Sequence, residues 1–188
     1  MRARNPHRSP GVFGPVGRTA GLALWLVAAA ACAPGPPGPS WIDVDRLIAE
    51  RYPGVPQMTT VLLAETLDAG RRPDVLLDAR EAEEYAVSHL AGAHHAPTAD
   101  EAIRIIRDSP AGALVVAYCS VGVRSSALAA RLRERGVAEV HNLQGSLFAW
   151  ANEGRPVYRG HARVAEVHPF DAWWGTLLRT ARPGQPAP

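Results

Sequence analysis

This 188-residue sequence predicts a parallel α/β fold: a doubly wound sheet of about five strands with helices on both faces. Three observations carry the prediction. Short apolar runs alternate with amphipathic stretches of helical spacing from residue 41 to about 157. The strongest run, Ala113-Leu114-Val115-Val116-Ala117-Tyr118, is apolar at every position, as a strand covered on both faces must be. Most of the helical stretches bring their own start or stop signal.

Ser40 and Asp43 form a capping box ahead of Trp41, Val44, Leu47 and Ile48, which lie on one helical face. The segment 55–58 reads as a short edge strand. Thr59 then caps a helix over 61–69 that carries Leu63 and Leu67 and stops at Gly70. The run 75–78 is a buried strand, and 91–96 is a strand only by its place in the alternation. Thr98 and Glu101 cap a helix with Ala102, Ile105 and Ile106 at i, i+3, i+4, closed off by Pro110. The run 113–118 is the central strand, 125–135 a helix with Leu128 and Leu132 on one side and Gly136 at its end, and 140–143 a further strand.

Composition sets the outer bounds. With 47% apolar and 20% charged residues the chain suits one folded domain with extra segments at its ends and excludes a wholly disordered chain. All 20 basic residues are arginine and the formal net charge is +2, but Arg2, Arg4, Arg8 and Arg18 precede the first acidic residue. Beyond residue 31 the balance is 16 arginines against 18 acidic residues, with no basic run of the kind that tracks a phosphate backbone, so nucleic acid is not an expected partner.

Residues 20–31 form an uncharged apolar run behind an arginine-rich start, which reads as a signal peptide over 1–31. Its 12 residues fall short of the roughly 20 that span a bilayer, and Pro34, Pro36, Pro37 and Pro39 stop any extension. Ala31-Cys32-Ala33 fits an ordinary cleavage site, an uncleaved anchor is a third route, and Ala29-Ala30-Ala31-Cys32 resembles a bacterial lipoprotein box. The last is the reading adopted: Cys32 lipidated, residues 32–40 a Pro/Gly-rich tether, and the domain over 41–157 held in a bacterial cell envelope, periplasmic or membrane-anchored. Cys119 is then the only thiol of the folded domain, which excludes an internal disulfide.

Cys119 ends the central strand and opens Cys119-Ser120-Val121-Gly122-Val123-Arg124-Ser125-Ser126, the link to the next helix. Ligands of open α/β sheets bind outside the carboxyl ends of strands. A loop curling into a helix N-terminus aims backbone N–H groups and the positive end of the dipole at one point, favouring an anion or a thiolate. Gly122 permits the tight turn and Arg124 adds a fixed charge.

The region from about Val55 to Val157 resembles a rhodanese domain. The resemblance rests on Leu77-Asp78-Ala79-Arg80-Glu81, on Glu84-Tyr85-Ala86-Val87-Ser88-His89-Leu90-Ala91-Gly92-Ala93, on the loop at Cys119 and on Leu143-Gln144-Gly145-Ser146-Leu147-Phe148-Ala149-Trp150. Ser88 stands where that family often has Gly, and Ser146 replaces the second Gly of its Gly-Gly pair. The resemblance implies Cys119 as the nucleophile that takes a sulfane sulfur as a persulfide, with Ser120, Val121, Gly122, Val123 and Arg124 cradling it. A thiosulfate or persulfide donor and a thiol or cyanide acceptor follow from it, without a cofactor.

Arg80 and Arg124 are candidate holders of an anionic donor, or partners of Glu81, Glu83 or Glu84. Asp78 is expected to orient loop N–H groups, His89 to make structural hydrogen bonds, and Trp150 to fill the core. His94-His95 has no companion ligands at metal-binding spacing, so no metal is expected. Cysteine phosphatases typically place five residues between Cys and Arg where this loop has four, which argues against phosphate chemistry. A non-catalytic rhodanese-like binding module is the alternative function. The extension 158–188 carries Phe170, Trp173, Trp174, Leu177 and Leu178, an apolar cluster to be covered by the domain itself, by a protein partner at Trp173 and Trp174, or by a membrane; its end, 181–188, is expected to be disordered.

Overall fold

The structure, a computed structural model, describes residues 38–179 and 182–184. The expected signal segment 1–31, Cys32, the tether up to residue 37, residues 180–181 and residues 185–188 lie outside the described residues.

Helix α1 (Trp41–Arg51) starts where the capping box places it. The Ser40 hydroxyl accepts the Asp43 N–H at 3.2 Å and the Asp43 carboxylate accepts the Ser40 N–H at 3.3 Å. Strand β1 (Gln57–Met58) follows, then α2 (Thr60–Asp68) capped by Thr59, and β2 (Val75–Asp78). Next come α3 (Ala82–Val87), β3 (His94–His95) and α4 (Ala99–Ile106), whose capping box is Thr98 with Glu101. Strand β4 (Val115–Tyr118), α5 (Val123–Glu134), β5 (Val140–Leu143) and α6 (Ser146–Asn152) complete the domain.

The five strands form one parallel sheet in the order β1-β5-β4-β2-β3, with Asp78 beside Tyr118 and Ala117 beside Asn142. The step from β2 to β3 moves outward to one side and that from β4 to β5 to the other, so the winding reverses at β4 and a crevice opens at its carboxyl end. One face packs Leu76, Val116 and Tyr118 against Val44, Leu63, Leu147 and Phe148 of α1, α2 and α6. The other packs Leu77, Val115 and Ala117 against Ala102, Leu128 and Leu132 of α4 and α5. Each fully buried large side chain contributes about 1.5–3 kcal/mol. The fold is therefore the expected α/β doubly wound sheet.

Three details differ from the sequence reading. Helices α3 and α6 have six and seven residues, under two turns, and are too short to show a period. The strand expected over 91–96 keeps only His94 and His95. Within 181–188, expected to be disordered, Arg182–Pro183 form a strand: among the described residues of the extension, β6 (Val157–Arg159) and β7 (Ala162–Val164) form a hairpin, β8 (Glu166–Val167) pairs in parallel with β9 (Arg182–Pro183), and a 3-10 turn spans Trp174–Leu177. Val167 and Leu177 are buried in the α1/α2/α6 face, so the extension packs back onto the domain.

Candidate active site

Cys119 leaves β4 at the crevice, and the loop from Ser120 to Gly122 turns directly into α5. The turn needs Gly122: its φ is +111°, and a Cβ there would approach Ile48 Cδ1 at 3.1 Å and Asn142 Nδ2 at 3.2 Å. The Gly122 N–H points at the thiol, with N to Sγ 3.1 Å. Cys119 is 1% exposed and sits at the floor of a cleft of about 200 Å³. Ser120, Val121, Val123 and Arg124 form the near walls, and Phe170 and Trp174 form the far one.

Burial pushes the Cys119 thiol up; the Arg124 charge and hydrogen bonds from the Ser125 hydroxyl, the Ser125 N–H and the Gly122 N–H outweigh it and leave the thiol more acidic than usual. The single Ser125 hydroxyl proton has Asn142 Oδ1, at 2.6 Å, as its alternative acceptor, and Asn142 Nδ2 donates to Gln57 Oε1 at 2.7 Å, so a buried polar chain crosses from β1 to the first turn of α5.

Arg124 is held by Glu84. Its NH1 donates to Oε2 at 2.6 Å and its NH2 to Oε1 at 2.7 Å, while the Ser120 hydroxyl donates to Oε1 at 2.8 Å. Burial pushes the Glu84 carboxyl up, but the Arg124 hydrogen bonds and charge, with those from Ser120 and the Glu81 N–H, bring it below its ordinary range. Of the carboxylates named as possible partners of Arg124, Glu84 is the one engaged, and α3 is the element that delivers it. The Arg124 guanidinium also stacks on the Phe170 ring, 4.7 Å from its centroid.

Arg80, a candidate donor-binding residue, does not line the cleft. Its side chain is fully buried against Asp78, with Nε to Oδ1 at 2.9 Å and NH2 to Oδ2 at 2.6 Å, and NH2 also donates to the Ser88 carbonyl at 2.6 Å. Charge pairing at the carboxyl end of β2, not substrate contact, is what its surroundings provide. Asp78 accepts the Arg80 N–H at 3.1 Å, so the loop it orients is the one after β2 rather than the one at Cys119. His89 stacks on Tyr85 at 4.0 Å and its Nδ1 donates to the Tyr85 carbonyl at 3.1 Å. Trp150 is buried, and its indole N–H donates to the Pro156 carbonyl at 2.9 Å.

The sequence did not point to Phe170, Trp174, Ser125 or Asn142 as parts of the site. The aromatic cluster of the extension was visible as apolar surface needing a cover, but nothing local says that Cys119 is what it faces. Among the described residues no three His, Cys, Asp or Glu side chains converge as a metal site.

Comparison with known proteins agrees with this arrangement. The Rhodanese-like domain family matches residues 60–153, half of the chain. The uncharacterized protein YqhL of Bacillus subtilis is 35% identical over 95 residues, covering 49% of this chain and 72% of that protein. A sulfurtransferase of Allochromatium vinosum is 35% identical over 95 residues, covering 50% of this chain and 83% of that protein. The crystal structure of a thiosulfate sulfurtransferase from Pseudomonas aeruginosa superposes with a TM-score of 0.55 at 24% identity, over 64% of this chain and only 23% of its own. With a parallel five-stranded sheet, a cysteine at the carboxyl end of its central strand and a family match over half its length, this chain belongs to the rhodanese-like domain family.

Proposed function

We propose that the protein is a sulfurtransferase that carries a sulfane sulfur on Cys119 as a persulfide, taking it from a donor such as thiosulfate or a persulfide and passing it to a thiol or cyanide. The observation that carries this reading is the thiol itself: held more acidic than usual by Arg124 and by N–H and hydroxyl donors, at the floor of a cleft where the winding of the sheet reverses. The sulfurtransferase named among its relatives supports the same activity class. The thiolate attacks the sulfane sulfur, a new Sγ–S bond forms as the donor's S–S bond breaks, and the electron pair departs on sulfite or on the donor thiolate. A second nucleophile then removes the sulfur and restores the thiolate.

The reading is tested by intact mass of the full chain after exposure to sulfane donors. A gain of about 32 Da that cyanide removes, and that Cys119→Ser abolishes, is the expected result. A Cys119 that no donor modifies overturns it and leaves a binding module. In the cell the domain is proposed to work in the bacterial envelope, tethered through Cys32. The support is the uncharged run over 20–31 followed by Ala29-Ala30-Ala31-Cys32. Metabolic labelling with a radiolabelled fatty acid, lost in Cys32→Ser, checks the tether.

A further inference from the structure

We propose that the donor this site selects is an organic persulfide with an apolar, preferably aromatic, body, and that Phe170 is the residue that selects it. The inference rests on the sulfurtransferase reading above and narrows its donor.

Among the described residues that line the cleft Arg124 is the one cation, and it is already paired. Both of its terminal nitrogens donate to Glu84, at 2.6 and 2.7 Å, and its Cζ lies over the Phe170 ring, 4.7 Å from the centroid. A dianion such as thiosulfate would meet a guanidinium whose hydrogen bonds are already spent on a carboxylate, and binding it head-on would mean breaking a mostly buried two-point pair. Asp171, next to Phe170 in the chain, accepts the Trp174 N–H at 2.8 Å, so the segment that bears both aromatic wall residues carries a carboxylate and no cation.

Apart from Ser120, whose hydroxyl donates to Glu84, and the thiol itself, the rest of the cleft is apolar. Val121 and Val123 face it from the thiol loop, and Phe170 and Trp174 from the extension. A persulfide that places its outer sulfur at Sγ has room for its organic group against these side chains, where burial of apolar surface contributes to binding.

The wall is also built at a cost. Phe170 has φ +65°, a left-handed conformation that a non-glycine residue holds only when its surroundings impose it, and its N–H is satisfied by His168 Nδ1 at 3.0 Å. Phe170 is nevertheless 43% exposed, so core burial does not account for the conformation; the contact its ring makes is with the Arg124 guanidinium beside the cleft.

In the transfer the Cys119 thiolate attacks the outer sulfur of R–S–SH. Sγ–S forms, the donor S–S breaks, and R–S⁻ leaves with the electron pair; the proton stays on the new persulfide, so no other oxidant or reductant takes part.

The test loads the full chain with benzyl hydropersulfide, 2-carboxyethyl hydropersulfide and thiosulfate, reading the initial rate of the mass gain at Cys119. The two persulfides share their sulfur chemistry and differ only in the body. The proposal expects the benzyl donor to load about tenfold faster than the carboxyethyl donor. The ratio falls toward one in Phe170→Ala and stays intermediate in Phe170→Leu, which keeps apolar volume without the ring. Because the ring is half-exposed, both variants are expected to fold, and their melting temperatures are read alongside. A ratio near one in the native chain, a ratio unchanged in Phe170→Ala, or thiosulfate loading fastest overturns the donor assignment while leaving the sulfurtransferase reading intact. Loading by none of the three overturns both.

Discussion

The hydroxyl of Ser146 accepts the Cys119 backbone N–H at 3.1 Å and gives its own proton to the Leu143 carbonyl at 2.9 Å. It does so from φ +49°, directly after Gly145 at φ +69°. A left-handed serine is strained by about 1 kcal/mol, and an orphaned buried N–H costs about 1–3 kcal/mol. Ser146→Gly relieves the first and incurs the second, so it should lose about 1 kcal/mol in urea unfolding; Ser146→Ala keeps the strain and should lose about 2 kcal/mol. A glycine variant more stable than the native chain would show that the hydroxyl contributes less than the left-handed backbone costs.

Thiolate formation should be visible in the pH dependence of alkylation. With the Cys119 thiol more acidic than usual, the rate of iodoacetamide addition should reach its midpoint at a lower pH than that of an ordinary cysteine measured alongside. Since the Arg124 charge favours the thiolate, Arg124→Gln should move that midpoint upward. A profile that does not move would assign the acidity to the backbone and Ser125 donors alone.

Breaking the Arg80–Asp78 pair is a stability experiment. Both side chains are fully buried, and removing one partner of such a pair typically costs about 3–5 kcal/mol. Arg80→Met should unfold at markedly lower urea, while the part that remains folded should alkylate at Cys119 with the native pH profile. An altered donor dependence with unchanged stability would restore Arg80 to the substrate.

Acid should weaken the protein through Glu84. Its folded-state ionisation lies below the ordinary 4.5, so its contribution is fully present above the unfolded value and is lost as pH falls through the folded one. Stability measured by urea unfolding should therefore decline from about pH 4.5 downward. Glu84→Gln should be less stable by about 2 kcal/mol at pH 7 and should show a shallower acid decline. An identical acid limb in the variant would place the loss on other carboxylates.

The sheet was legible because its signals are local. The apolar runs over 75–78, 113–118 and 140–143 lie where β2, β4 and β5 form, and the capping boxes at Ser40 and Thr98 mark true helix starts. Cys119 and its loop were legible for the same reason, since strand, glycine and helix follow one another in sequence. The partners of Arg124 were only half legible. Glu84 stood among three candidate carboxylates, and α3 is too short for its period to say which one turns inward. Arg80 was misplaced because an arginine beside a strand end reads alike whether it faces substrate or pairs with the Asp78 two residues earlier. Phe170 and Trp174 lie about fifty residues beyond the thiol, and their contact with its loop depends on where β8 and the 3-10 turn dock.

That separation bears on the order of assembly. His89 and Tyr158 exchange backbone hydrogen bonds at 2.8 and 2.9 Å, tying the start of the extension to the sheet side only after most of the chain exists. Synthesis runs from the N-terminus, so the thiol loop and its helix are complete before the residues that roof it have been made. Through that interval the thiol loop is without its aromatic cover, and the cleft is complete only when Phe170 and Trp174 have docked against it.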